Sequence, residues 1–320
     1  MTAFAAEVQP GVEDADGLAG WRREFVRAAR AFCLIPEILP EQQRDGVALL
    51  YCLCRRLDDA VDEAPSAAHA RAALDSVRAQ LAGTARPGPL VAAFLDSAAR
   101  HGLPLQCLEA LLEGMAADLE AVRIATDGEL LRYSYRVSAA VGLMLAPLLG
   151  ARGREAEARV VDLGIALQLS NVLLGVRDDA RLGRVYLPAT RLSLARLSAD
   201  HVLRAPEDGR LLPVLRGLAA LADAYYDSVE QGASLIPLRY RHGVLLLART
   251  YRTLGWRAAH GEAGPKTPAQ LPLGVLAGHL AGLAVIALRP RVLGLLPPPV
   301  HDASLHQALA GFPGANAPGP

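Results

Sequence analysis

Residues 51–63 read Tyr-Cys-Leu-Cys-Arg-Arg-Leu-Asp-Asp-Ala-Val-Asp-Glu and close a longer run that begins at Glu41. Apolar residues in this run recur at steps of three and four, the spacing of one helix face. Pro40 suits the start of such a helix, and Pro65 stops it just past the acidic cluster. Asp58 and Asp62 then lie one turn apart on a shared face, about 6 Å along the axis. Two carboxylates so placed repel and weaken a bare helix. A shared hard cation offsets that repulsion, because carboxylate oxygens suit magnesium. Taken alone, however, the pair reads more readily as a solvated acidic helix end with Arg55 and Arg56 as partners, since such spacings are common by chance.

Helical periodicity continues outward from this stretch. It predicts helices over 66–83, 89–101, 104 to about 120, 127–150, 155–178, 208–236 and 238–260, with no alternating strand pattern and no short repeat. The fold class expected is all-α: one bundle of roughly eight to twelve helices over 19–290, its site between facing helices. A flexible N-terminus is expected over 1–18, and a disordered Pro/Gly/Ala-rich tail over 291–320. An apolar content of 52% against 21% charged excludes global disorder, and a net charge of zero excludes the basic footprint of a nucleic-acid binder. Cys33, Cys52, Cys54 and Cys107 fit no zinc or redox spacing and read as buried thiols of a cytoplasmic protein. The acidic N-terminus does not read as a signal peptide. The apolar run Leu271 to Leu288 is short for a membrane span, which needs about 20 residues, and reads as a core or interfacial helix.

The residues around Asp58 decide between the two readings of the acidic pair. Tyr51, Cys54 and Arg55 precede it at the spacing of the first aspartate-rich signature of the phytoene and squalene synthase family, which this stretch closely resembles. The resemblance extends to Phe32 with Leu39-Pro40, to Gly114-Met115 with Asp118, to Tyr133 through Val137, and to Val141-Gly142. It includes a second signature from Gly164 to Pro188 that holds Gln168, Asn171, Asp179, Arg184 and Tyr186. Tyr225, Tyr226 and Tyr251 complete it, so the likeness covers most of residues 25–260.

The resemblance implies an isoprenoid synthase bundle around a deep apolar cavity, with two aspartate-rich helices facing each other at its mouth. It implies magnesium, with manganese as an alternative, held by Asp58, Asp62, Asn171 and Asp179. Arg55, Gln168, Asn171, Tyr186, Tyr251 and Phe32 would contact substrate, and Tyr51 would join the three aspartates in catalysis. Singly, each tyrosine reads more readily as a packing residue. The reaction implied is head-to-head condensation of two prenyl diphosphates through a cyclopropyl intermediate. Geranylgeranyl diphosphate giving phytoene is the leading version. Farnesyl diphosphate giving presqualene diphosphate, dehydrosqualene or squalene is the alternative, and only squalene would need NADPH. Peripheral membrane contact is expected, through 271–288, and downstream isoprenoid-pathway enzymes are the expected protein partners.

Three departures qualify the resemblance. Gly175 stands where the family has the first Asp of the second motif. Leu174 replaces the Arg before it. Ala29-Arg30-Ala31-Phe32 lacks the hydroxyls usual near the N-terminus. A glycine in a helix interior also costs about 1 kcal/mol in propensity. A catalytically impaired family member acting as a pathway partner is therefore a second reading, and a head-to-tail prenyltransferase or terpene cyclase a third.

Overall fold

The computed structural model describes residues 17–31, 39–262, 289–290 and 292–316, together with Gly278 and Gly282. The first half of the chain forms α1 (Leu18–Ala31), α2 (Glu41–Asp62), α3 (Ala67–Leu81), α4 (Pro89–His101), α5 (Leu105–Ala117), α6 (Asp127–Ser134) and α7 (Ala140–Leu145). The second half forms α8 (Arg154–Arg181), α9 (Ala189–Leu194), α10 (Ala199–Arg204), α11 (Leu212–Gln231) and α12 (Leu238–Ala259). Among the described residues the only extended pairing is an isolated bridge between Arg123 and Val185.

Helix ends fall where the sequence places stop signals. In α4, Pro89 occupies the first turn, and Gly102 ends the helix at φ 68°, a left-handed conformation that glycine adopts without strain. Ser66 and Thr126 cap α3 and α6 by accepting backbone N–H groups. The run 127–150 is broken where one continuous helix was expected. A π-helical turn at Tyr135–Ala139 separates α6 from α7. It lies against glycines on two sides: a Cβ on Gly114 would meet Val137 at 2.7 Å, and one on Gly164 would collide with the Ala139 backbone. Such turns widen a helix locally to fit neighbours.

Helix α8 is the axis of the bundle, with α11 and α12 on one side and the 135–145 segment on another. It is long and apolar enough to cross a membrane, yet 67% of its apolar window is buried inside the bundle, as befits a core helix.

The expected disordered tail is corrected by the structure. Residues 303–309 form a 3₁₀ helix, and His301, His306 and Leu309 are buried. The Tyr225 hydroxyl donates to the Leu305 carbonyl at 2.7 Å, and the Tyr135 hydroxyl donates to the Pro313 carbonyl at 2.7 Å. Phe312 packs edge-on against Tyr135 and lies under the Arg136 guanidinium. The segment folds because it satisfies buried polar groups of the bundle, which composition does not report. The expected N-terminal arm and nearly all of the 271–288 run lie outside the described residues.

Candidate active site

Helix α2 delivers the first acidic cluster. Asp58 is buried, and Asp62, the last helical residue, is exposed. Arg55 pairs with Asp59 one turn on, at 2.9 Å. Tyr51 is buried, its ring 6.0 Å from that of Phe25, and burial pushes its phenol up to about 12, so it stays neutral at physiological pH.

The C-terminal half of α8 carries the second cluster. Gln168, Asn171, Gly175 and Asp179 fall on one face of it at steps of three and four. Gln168 is buried and accepts a long hydrogen bond, 3.5 Å, from the Asn171 amide. Burial raises the Asp179 carboxyl to about 7, and neighbouring Asp118 and Asp178 push the same way against Arg184.

The two clusters meet through the loop after α8. Val185 N–H donates to the Val122 carbonyl at 3.1 Å, and the Arg123 guanidinium donates to the Gly183 carbonyl at 2.8 Å. This pins Arg184, whose guanidinium lies 3.9 Å from Asp62 and favours the charged form of Asp179. Tyr186, two residues on, stacks on Tyr133 with centroids 4.9 Å apart. Both phenols donate to one buried carboxylate, Asp118, at 2.8 and 2.9 Å. Asp118 was a matched position without a role; here it locks the loop that carries Arg184.

Along the N-terminal half of α8 runs an apolar cavity. Leu163, Gly164 and Leu167 line it from α8, with Leu145, Leu247 and Tyr251 opposite. Among the expected site residues, Asp62 and Asp179 thus share Arg184, Tyr186 stands beside them on the same loop, and Tyr251 faces the cavity instead. Phe32 lies outside the described residues.

A second polar group, absent from the sequence expectations, lies further along α8. Asp162, His301 and His306 bring three ligand-type atoms within 4.8 Å of one another, all buried. Asp162 is 17 residues before Asp179, roughly 25 Å along the helix axis. An aspartate inside the apolar run Val160-Val161-Asp162-Leu163 was the local signal for it.

Fold and site together define an all-helical isoprenoid synthase. Known proteins match this description. The Squalene/phytoene synthase family matches residues 25–270. A 15-cis-phytoene synthase from Paracoccus sp. is 35% identical over 252 residues, 76% of this chain and 81% of that protein. A phytoene synthase from Rhodobacter capsulatus is 33% identical over 246 residues, 75% and 73% of the two chains. The solved structure of a dehydrosqualene synthase superposes with a TM-score of 0.71 at 23% identity, covering 84% of this chain and 95% of that one. The chain belongs to the squalene/phytoene synthase family, whose members are prenyltransferases.

Proposed function

We propose that this chain joins two geranylgeranyl diphosphates head to head to give phytoene. One observation carries the reading: α8 bears the acidic cluster at its C-terminal end and the apolar cavity along its N-terminal half. One rigid element thereby sets a polar, acidic end against an apolar chamber, the pairing that a prenyl diphosphate needs.

Asp58, Asp62, Asn171 and Asp179 are the residues that would hold magnesium or manganese. They fit such an ion because carboxylate and amide oxygens from two helices, α2 and α8, face the same Arg184 through Asp62 and Asp179, and hard cations take oxygen ligands. When bound, the ion supplies Lewis-acid neutralisation of the departing diphosphate. The chain's own residues do the rest. Arg184 sits between Asp62 and Asp179 as a fixed positive charge for phosphate oxygens, and Arg55 adds a second guanidinium. Gln168 and Asn171 offer polar contacts on the α8 wall. Tyr51, Tyr186 and Tyr251 add aromatic surface, and the apolar chamber excludes water from a reactive cation. The 271–288 run supplies peripheral contact with the membrane that takes up the product.

The test is incubation of the purified protein with magnesium and either farnesyl or geranylgeranyl diphosphate, with and without NADPH, followed by extraction. Phytoene from the longer substrate is expected. A farnesyl-derived product, reduced only with NADPH, would select the squalene-type reaction, and no turnover of either would leave a pathway partner. Asp58→Ala and Asp62→Ala are expected to abolish turnover while leaving the far-ultraviolet circular dichroism intact.

A further inference from the structure

Asp162, His301 and His306 invite a metal, yet the hydrogen bonds argue otherwise. The backbone N–H of Asn316 donates to His306 Nδ1 at 2.7 Å, so that nitrogen carries no hydrogen in the neutral ring. The hydrogen is then on Nε2, which faces Asp162 Oδ1 at 3.0 Å and donates to it. His301 is arranged in the same way, with Nε2 on Asp162 Oδ2 at 3.0 Å and Nδ1 against the Asn316 amide nitrogen at 3.3 Å. Asn316 Oδ1 is already occupied by Arg154, at 3.1 Å, which fixes the orientation of that amide. A metal between these rings and Asp162 would need both Nε2 atoms bare. The group is therefore a hydrogen-bonded clasp that seats the C-terminal segment on α8.

What the clasp holds is the far end of the apolar chamber. Ser228 donates to Asp162 and accepts from Arg159, and the Arg159 guanidinium also donates to the Pro299 carbonyl at 2.8 Å. Arg159 lines the chamber and, among its described lining residues, is the only charged one. The rest of the lining mixes small residues, Gly142, Ala146, Ala151, Ala156 and Gly232, with larger apolar ones such as Val160, Leu235 and Ile236. Its stem runs across Gly232, where a Cβ would collide with Arg159 Cγ, Cδ and Nε. Its Nε–H is buried and meets no acceptor among the described residues. A charged, tethered side chain in a predominantly apolar lining is a barrier to a hydrocarbon, which gains nothing by reaching a guanidinium.

We propose that Arg159, held by the C-terminal segment, is the floor of the prenyl chamber and sets the longest chain the chamber admits. The inference rests on the prenyl-transfer reading given above. Farnesyl, geranylgeranyl and geranylfarnesyl diphosphates, and their unreactive thiolo analogues, provide the ruler. Steady-state kinetics reads the diphosphates and calorimetric binding reads the analogues. Arg159→Ala removes the floor, and preference for geranylfarnesyl over geranylgeranyl is expected to rise about tenfold or more, the scale at which apolar pockets discriminate small changes in length. Gly232→Ala pushes the Arg159 stem into the chamber and is expected to shift preference the other way, toward farnesyl. The backbone at Gly232, with φ −87°, accepts alanine, but the new Cβ meets an anchored stem. Arg159→Met, which keeps that stem and removes the charge, is expected to shift preference as Arg159→Ala does and carries the test if either of the other variants fails to fold. A full-length His301→Ala/His306→Ala variant is expected to move with Arg159→Ala. Unchanged chain-length ratios in folded Arg159→Ala or Gly232→Ala overturn the floor, and an unchanged ratio in the folded double variant overturns the part played by the tail. If the wild type turns over no substrate but the analogues still show these shifts, the prenyl-transfer reading fails while the floor stands.

Discussion

The Asp179 carboxylate occupies the space that a side chain on Gly175 would fill: a Cβ there would lie 2.7 Å from Asp179 Oδ2. On the proposed metal reading, glycine at 175 is thus more than one ligand fewer. The absence of a side chain there lets the remaining carboxylate fold back along α8, and restoring Asp at 175 would turn Asp179 outward while adding a charge. The clash falls on a flexible side-chain tip, so the helix tolerates it. Gly175→Asp is expected to lower the magnesium concentration for half-maximal turnover about tenfold, since added ligand charge tightens hard-cation sites. Gly175→Ala, which moves Asp179 but adds no ligand, is the control. Equal magnesium requirements in the two variants would show that position 175 does not face the ion.

If Asp179 helps to hold magnesium, as proposed, its titration makes that binding depend on pH. Burial raises its carboxyl to about 7, far above an unfolded aspartate. Between those two values the folded state holds a proton that the unfolded state has lost. By linkage, this group makes metal-free stability fall as pH rises from about 4 to 7 and then level off. Magnesium binds the ionised form, so its stabilising effect grows over the same window. Thermal melts with and without magnesium should diverge at pH 8 and converge toward pH 5. In Asp179→Asn the divergence should lose its pH dependence. A magnesium shift that stays constant from pH 5 to 8 in the wild type would remove Asp179 from the binding set.

The double hydrogen bond of Tyr133 and Tyr186 to Asp118 makes the Arg184 loop a fixed part of the site. Tyr186→Phe keeps the stacked ring and removes one donor to a carboxylate, a bond worth about 1.5–3 kcal/mol. Urea unfolding should show a loss of that order. Turnover should also fall, because Arg184 is two residues away and is aimed by the same loop. Loss of stability with unchanged kcat and KM would confine Asp118 to a structural role.

Much of this arrangement was legible locally. The end of α2 could be read from apolar spacing and Pro65, and the termination of α4 from Gly102. The face holding Gln168, Asn171, Gly175 and Asp179 follows from helical steps alone. Periodicity did not reveal the break at Tyr135, which depends on glycines 114 and 164 arriving from other helices. It was equally silent on the tail. His301 and His306 meet Asp162 across 139 and 144 residues of sequence, and a Pro/Gly/Ala composition says nothing about such partners. Asp118 and Asp162 share one signature: a carboxylate buried where local pattern offers no cation, which implies donors supplied from far along the chain.

That signature predicts how the tail fails in acid. Burial alone would raise the Asp162 carboxyl, but hydrogen bonds from His301 and His306 outweigh it and hold the group below the ordinary carboxylate range. Its contribution to stability is therefore complete above the unfolded value near 4 and is lost as pH falls through the depressed folded value. In the His301→Ala/His306→Ala variant both imidazole donors vanish while the charge stays buried, and each hydrogen bond to a charged group is worth about 1.5–3 kcal/mol. Asp162→Asn in that background removes the charge and should recover part of the loss. Urea unfolding from pH 3 to 8, followed by tryptophan fluorescence, would read all three proteins. A double variant as stable as wild type at pH 7 would mean that the clasp does not secure the tail.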